Sequence, residues 1–155
     1  MRHYTTDSPE AMSRIVALAL LADGALDPRE IESLDRQAIL DKLGISHATL
    51  DRVTHEFCND LLQCARSPNV GQIELDRDLV EHLLDDIRAP EKQQQALAAI
   101  VEITEADGCL NGGEAILISE AMSRWGLELQ HVARTVVLRA QRGAQRHRAQ
   151  PSVSA

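Results

Sequence analysis

Seven carboxylates recur at spacings suited to a hard divalent cation: Asp23, Asp27 and Glu30 in ADGALDPRE, and Glu102, Glu105, Asp107 and Glu114 in EITEADGCLNGGE. Each stretch resembles the second half of an EF-hand loop, with Asp-Gly followed by an apolar residue and a Glu. If Asp23 takes loop position five and Glu30 position twelve, positions one and three fall on Ala19 and Leu21, which have no side-chain oxygen. A normal EF-hand is therefore excluded. In the second stretch the same register puts Glu105, Asp107 and Glu114 at positions three, five and twelve, but position one is Ile103. Any cation site must borrow oxygens from water or from the other stretch, so its affinity is expected to be modest, with calcium or magnesium favoured.

The two stretches are copies. Ala22, Asp23, Gly24, Leu26, Asp27 and Glu30 correspond to Ala106, Asp107, Gly108, Leu110, Asn111 and Glu114 at a constant offset of 84, and KLGI around Gly44 matches RWGL around Gly126 at an offset of 82. This is the mark of an internal duplication. Two readings of the copied residues stay open. One is structural: Gly ends a helix, and Asp or Asn caps the next with Glu three residues on. The other gives the carboxylates a ligand. Asp23 and Asp107 each fall in the last turn of a helix, where the macrodipole is negative, and Glu102 and Glu105 are neighbours at i, i+3, so a bound cation would relieve what is otherwise repulsion. On that reading Asp23 and Glu30 face Glu105, Asp107 and Glu114 across a pseudo-twofold axis.

The elements that carry these residues read as helices throughout. Trp125, Tyr4 and Phe57 are the only aromatics in 155 residues that are 44% hydrophobic, so the core must be Leu, Ile, Val and Ala at helical spacing. Ser8-Pro9-Glu10 starts a first helix that is apolar on nearly every face from Met12 to Leu21 and ends at Gly24. Asp27-Pro28 starts a second, which carries Ile31, Leu34, Ala38 and Ile39 inward as far as Gly44. Ser46 caps a third, reaching about Arg66 and burying Leu50, Val53, Phe57, Leu61 and Leu62. After the SPNVGQ loop, Asp76 to Ile87 makes a fourth, with Leu79, Val80, Leu83, Leu84 and Ile87 inside. Pro90 opens a fifth that runs to Asp107, Asn111 caps a sixth that ends at Gly126, and Leu127 to about Arg142 makes a seventh. The expected fold is all-α: a compact seven-helix domain over residues 1–142, built from repeats at about 9–66 and 76–142, then a flexible basic tail, 143–155. Ile15–Ala22 and Ala96–Ile103 should be its most buried segments.

With these loops and helix ends, the chain resembles the tellurite-resistance protein B (TerB-like) domain family. The likeness rests on Ala22-Asp23-Gly24 to Glu30 with Gly44, and on Ala106-Asp107-Gly108 to Glu114 with Gly126, and it covers residues 9 to about 142. The chain departs from it at Asn111-Gly112-Gly113, where members with strong acidic sites carry an Asp-rich run. The resemblance implies a pseudo-twofold helical fold whose acidic loops come together and bind divalent metal in some members. It also implies a non-enzymatic module of stress-response or membrane-associated assemblies, with a protein partner and contact with membrane only through that partner.

Other chemistry finds little support in the residues. No HExxH, nucleophile elbow or phosphate-binding glycine loop occurs. His47 and His55 lie about 12 Å apart along one helix, too far to share an ion with Asp51 between them, and read as a solvated face, as do His82 and His131. Cys58, Cys64 and Cys109 have no CxxC spacing and point to a reduced, cytoplasmic protein. The longest uncharged apolar run, Ile15 to Ala22, is less than half a bilayer span. Net charge is -8, but the last 22 residues hold five arginines and no acid, which leaves 11 basic residues against 24 acidic ones on residues 1–133. Without aromatic interleaving the tail is a poor nucleic-acid ligand. The competing function is a scaffold whose acidic face docks a protein partner without metal.

Overall fold

The computed structural model describes residues 1–22, 36–64, 77–104 and 112–128. Among them are six α-helices and no strand: α1 (Pro9–Ala22), α2 (Arg36–Leu43), α3 (His47–Cys64), α4 (Arg77–Leu84), α5 (Pro90–Thr104) and α6 (Gly112–Trp125). None is long and apolar enough to cross a membrane. The seventh helix expected from Leu127 to Arg142, the first part of the second helix and the tail lie outside the described residues.

α1 is the centre of the molecule because it has no polar face to give to solvent. Every residue from Ala11 to Leu20 is buried, and the helix packs against α3, α4, α5 and α6. Ser8 caps it as expected: its Oγ accepts the Ala11 N–H at 3.1 Å and its carbonyl the Met12 N–H at 3.1 Å. Ser46 caps α3 in the same way, accepting the Thr49 N–H at 3.1 Å. α5 buries Ala96, Leu97, Ala99, Ile100 and Ile103 against α1, α2 and α6.

Two helices end on the same device. Gly44 (φ 66°) and Gly126 (φ 62°) are left-handed, and the following N–H reaches back to the carbonyl five residues earlier, Ile45 to Leu40 and Leu127 to Met122, both at 3.0 Å. These are Schellman ends, in which glycine avoids the penalty a Cβ would meet at positive φ.

Two boundaries differ from the sequence reading. α4 stops at Leu84, and Asp85 to Ile87 continue as a turn whose last N–H bonds go to residues three back, Asp86 to Leu83 and Ile87 to Leu84, although Ile87 is still buried. Leu62, placed on the buried stripe of α3, is 66% exposed, because the stripe inside the core is Leu50, Val53 and Phe57, with Leu61 at its edge.

Candidate functional site

Of the seven candidate ligands, Asp23, Asp27, Glu30, Glu105 and Asp107 lie outside the described residues, and so does the meeting of the two loops. Glu102 and Glu114 are described, and their surroundings are opposite.

Glu102 sits near the end of α5, where the dipole repels it, and it is answered from within the protein. Lys42 in the last turn of α2 donates to both its oxygens, at 3.0 and 2.9 Å. Both side chains are more than a third exposed, which makes this a solvated clamp between α2 and α5 and a contribution of about 0–1 kcal/mol. One of the two charges in the Glu102–Glu105 repulsion thus has a cation already.

Glu114 stands in the first turn of α6 and is completely buried. The positive end of the helix dipole favours a carboxylate there. The residue is engaged in an interaction within the protein, while its Oε1 accepts no hydrogen bond. Its place in the first turn of α6 is that of the capping-box residue, and the loop in which it would be the twelfth ligand lies outside the described residues. Among the described residues no group of three or more His, Cys, Asp and Glu is arranged to hold a metal ion.

The histidines of the α3 face behave as read: His47, Asp51 and His55 are all exposed. His82 is exposed too, with its ring edge-on to His3 at 5.6 Å. Cys58 is half-buried, and burial pushes its thiol upward, away from the reactive thiolate.

The densest polar cluster lies elsewhere, and sequence reasoning missed it. Arg14, in the middle of α1, is 1% exposed. It donates Nη1 to the Arg2 carbonyl at 2.7 Å, pairs through Nη2 with Asp86, and lies over the Tyr4 ring, 4.9 Å from its centroid. Burial lowers its affinity for the proton, and Asp86 and Tyr4 oppose that. Tyr4 donates to Glu56 at 2.5 Å, and burial together with that bond pushes the phenol up to about 12. The same bond, with Arg52 and Arg2 nearby, holds Glu56 below the usual carboxylate range.

Residues 1–8 therefore form a strap that supplies the groups Arg14 needs. The Arg2 N–H bonds buried Asp60 at 2.7 Å. Asp7, left-handed at φ 61°, accepts the Arg88 and Ala89 N–H groups at 2.8 and 3.0 Å and donates its own N–H to Asp86 at 2.9 Å, while Lys92 donates to its carbonyl. On the far side of α4, Arg124 binds Asp85 bidentately at 2.6 and 2.7 Å and Glu81 at 3.0 Å, which lowers Asp85 and raises Arg124. These groups are occupied with one another, and the chemistry they perform is the fastening of helices.

No protein-family model, curated protein or solved structure matches the chain.

Proposed function

We propose that the protein is a non-enzymatic, acidic helical module of the TerB-like kind, whose duplicated Asp-Gly…Glu loops bind a divalent cation, calcium or magnesium, in a stress response of the tellurite-resistance type. The observation that carries this reading is the duplication, taken with the helix ends that follow each copy. The two left-handed glycines stand 82 residues apart, and each is followed by the same backbone bond. If α1 and α2 of one half correspond to α5 and α6 of the other, a pseudo-twofold exchanges the contact of α1 with α6 for that of α2 with α5, and both contacts are made. Such an arrangement would carry a seventh helix as the partner of α3. The buried carboxylate of Glu114 would supply a hard oxygen at the position where, in the sequence register, calcium sites take their Glu. When bound, the cation would neutralise carboxylates gathered at two helix ends. The residues that would hold it are Asp23, Asp27, Glu30, Glu102, Glu105, Asp107 and Glu114.

Calorimetric titration of the full chain with calcium, magnesium, manganese and zinc tests the reading. Saturable binding of calcium or magnesium with a dissociation constant of about 10⁻⁴–10⁻³ M is expected, in the range of weak oxygen-ligand sites. Failure of all four ions to bind saturably overturns it.

A second reading is favoured by one observation, the Lys42–Glu102 pair. A protein that answers its own helix-end acids with lysine has less need of an ion, and the module then serves as an interaction scaffold whose acidic face docks a basic partner. Lys42→Gln separates the two. Releasing Glu102 beside the loop should tighten calcium binding if the loops are a metal site, and should leave heats of titration at baseline if they are not.

A further inference from the structure

Two imidazoles far apart in the sequence meet where the strap crosses α4. His3 belongs to the strap and His82 to the last turn of α4, and their ring centroids stand 5.6 Å apart with the planes at 79°. Both side chains are exposed, so the ring contact itself buries little apolar surface. The separation is close to the one a shared ion would set. A zinc–nitrogen bond of about 2.0–2.1 Å puts each imidazole centroid about 3.2 Å from the metal, and two rings at a tetrahedral angle then stand about 5.2 Å apart. Closing the remaining few tenths of an ångström and aiming one nitrogen of each ring at a common point takes rotation about χ2, which is broad in histidine. The backbones on either side are fixed already. The strap is pinned next to His3 by the Arg2 N–H on Asp60 and by Tyr4 on Glu56, while His82 precedes the buried Leu83 and Leu84. The carboxylates that follow on the chain are committed to arginines, Asp85 to Arg124 and Asp86 to Arg14, and so are not offered as further ligands. The geometry points to a two-histidine site, His3 with His82 and water in the remaining positions, for a first-row dication that favours imidazole nitrogen, zinc, copper or nickel, which on binding fastens the strap to α4. Calcium and magnesium, which take oxygen ligands, do not compete for it. The inference is independent of whether the duplicated loops bind metal.

Zinc titrated calorimetrically into the full chain, with His3→Gln, His82→Gln and the double variant alongside, tests the site. Both histidines are exposed, so the variants should keep the native emission of Trp125, the chain's only tryptophan, whose indole donates to the Leu84 carbonyl. Loss of either ligand turns a chelate into a single-point attachment, so each single variant should weaken zinc binding by more than about tenfold, and the double variant by little more than either alone. His55→Gln, on the exposed face of α3, should leave the affinity unchanged, as should Asp107→Asn with Glu114→Gln. Hydrogen exchange reads the fastening. At free zinc about ten times the dissociation constant, exchange of the Asp7 N–H, which donates to the Asp86 carbonyl, should slow by about tenfold in the wild type and in neither single variant. Absence of saturable zinc binding overturns the inference. So does binding that survives the loss of both histidines, that depends on only one of them, or that disappears with the loop carboxylates. Unchanged exchange at Asp7 in saturating zinc contradicts the fastening of the strap.

Discussion

Arg14 is buried at the centre of a helix that otherwise carries no charge between Glu10 and Ala22, and its partners come from far along the chain. Removing one side of a buried ion pair leaves the other unanswered, so Arg14→Ala should cost about 3–5 kcal/mol in urea denaturation, and Arg14→Met, which fills the same space but leaves Asp86 just as unpaired, nearly as much. A much smaller loss in Arg14→Met than in Arg14→Ala would show that packing, not charge, holds the site. Tyr4 offers an independent test, since it is the chain's one tyrosine and any phenolate formed on raising the pH belongs to it. Its phenol is raised from the ordinary 10.0 to about 12, so the folded protein holds that proton more tightly than the unfolded chain. The stability this contributes is fully present below pH 10 and is lost as pH rises towards 12. A phenolate midpoint near 12 is expected, and Glu56→Gln should lower it only part of the way, because burial, the larger cause, remains. The sequence held a signal for this cluster. A helix apolar on every face has no solvent side for Arg14, which must then be paired inside. What could not be read was the identity of the partners, because Asp86 and Arg2 are brought there only by the folding of α4 and of the strap.

Helix ends were the most readable elements, and the reason is local chemistry. A Ser cap, a first-turn Pro and a left-handed Gly each act within a few residues, so Ser8, Ser46, Gly44 and Gly126 carry their meaning without tertiary context. The end of α4 was harder. Ile87 continues the apolar period while Asp7 pulls the Arg88 and Ala89 N–H groups into a turn, so periodicity ran past the true boundary. Leu62 misled for a different reason: it lies beside the stripe of Leu50, Val53, Phe57 and Leu61 and faces solvent, although Leu61 next to it still packs on the core. The Schellman ends can be tested alone, because a Cβ at Gly44 or Gly126 would meet nothing within 4 Å. Gly44→Ala and Gly126→Ala should therefore cost only the backbone penalty, about 1–2 kcal/mol each, and Asn at either position less. A loss well beyond that in thermal denaturation would mean the glycines serve close packing instead.

At the level of the whole molecule the all-helical architecture followed from its aromatic-poor, Leu- and Ala-rich composition and its spacing, and α1 and α5 take the buried places expected of the matching segments Ile15–Ala22 and Ala96–Ile103. The candidate site was less readable. Its ligands are separated by the offset of 84 residues, and a carboxylate's pairing depends on which helix arrives beside it, as Lys42 does beside Glu102 and the core does around Glu114. The decisive comparison is a set of melting curves for the full chain and for Asp107→Asn with Glu114→Gln, in calcium or magnesium against chelator at matched ionic strength. For a site with a dissociation constant near 1 mM, about 5 mM ion should add about 1 kcal/mol and raise the wild-type melting temperature by about 2–4 °C, with no rise in the double variant. A wild-type shift below about 1 °C, or an equal shift in both proteins, would contradict cation binding by the duplicated loops.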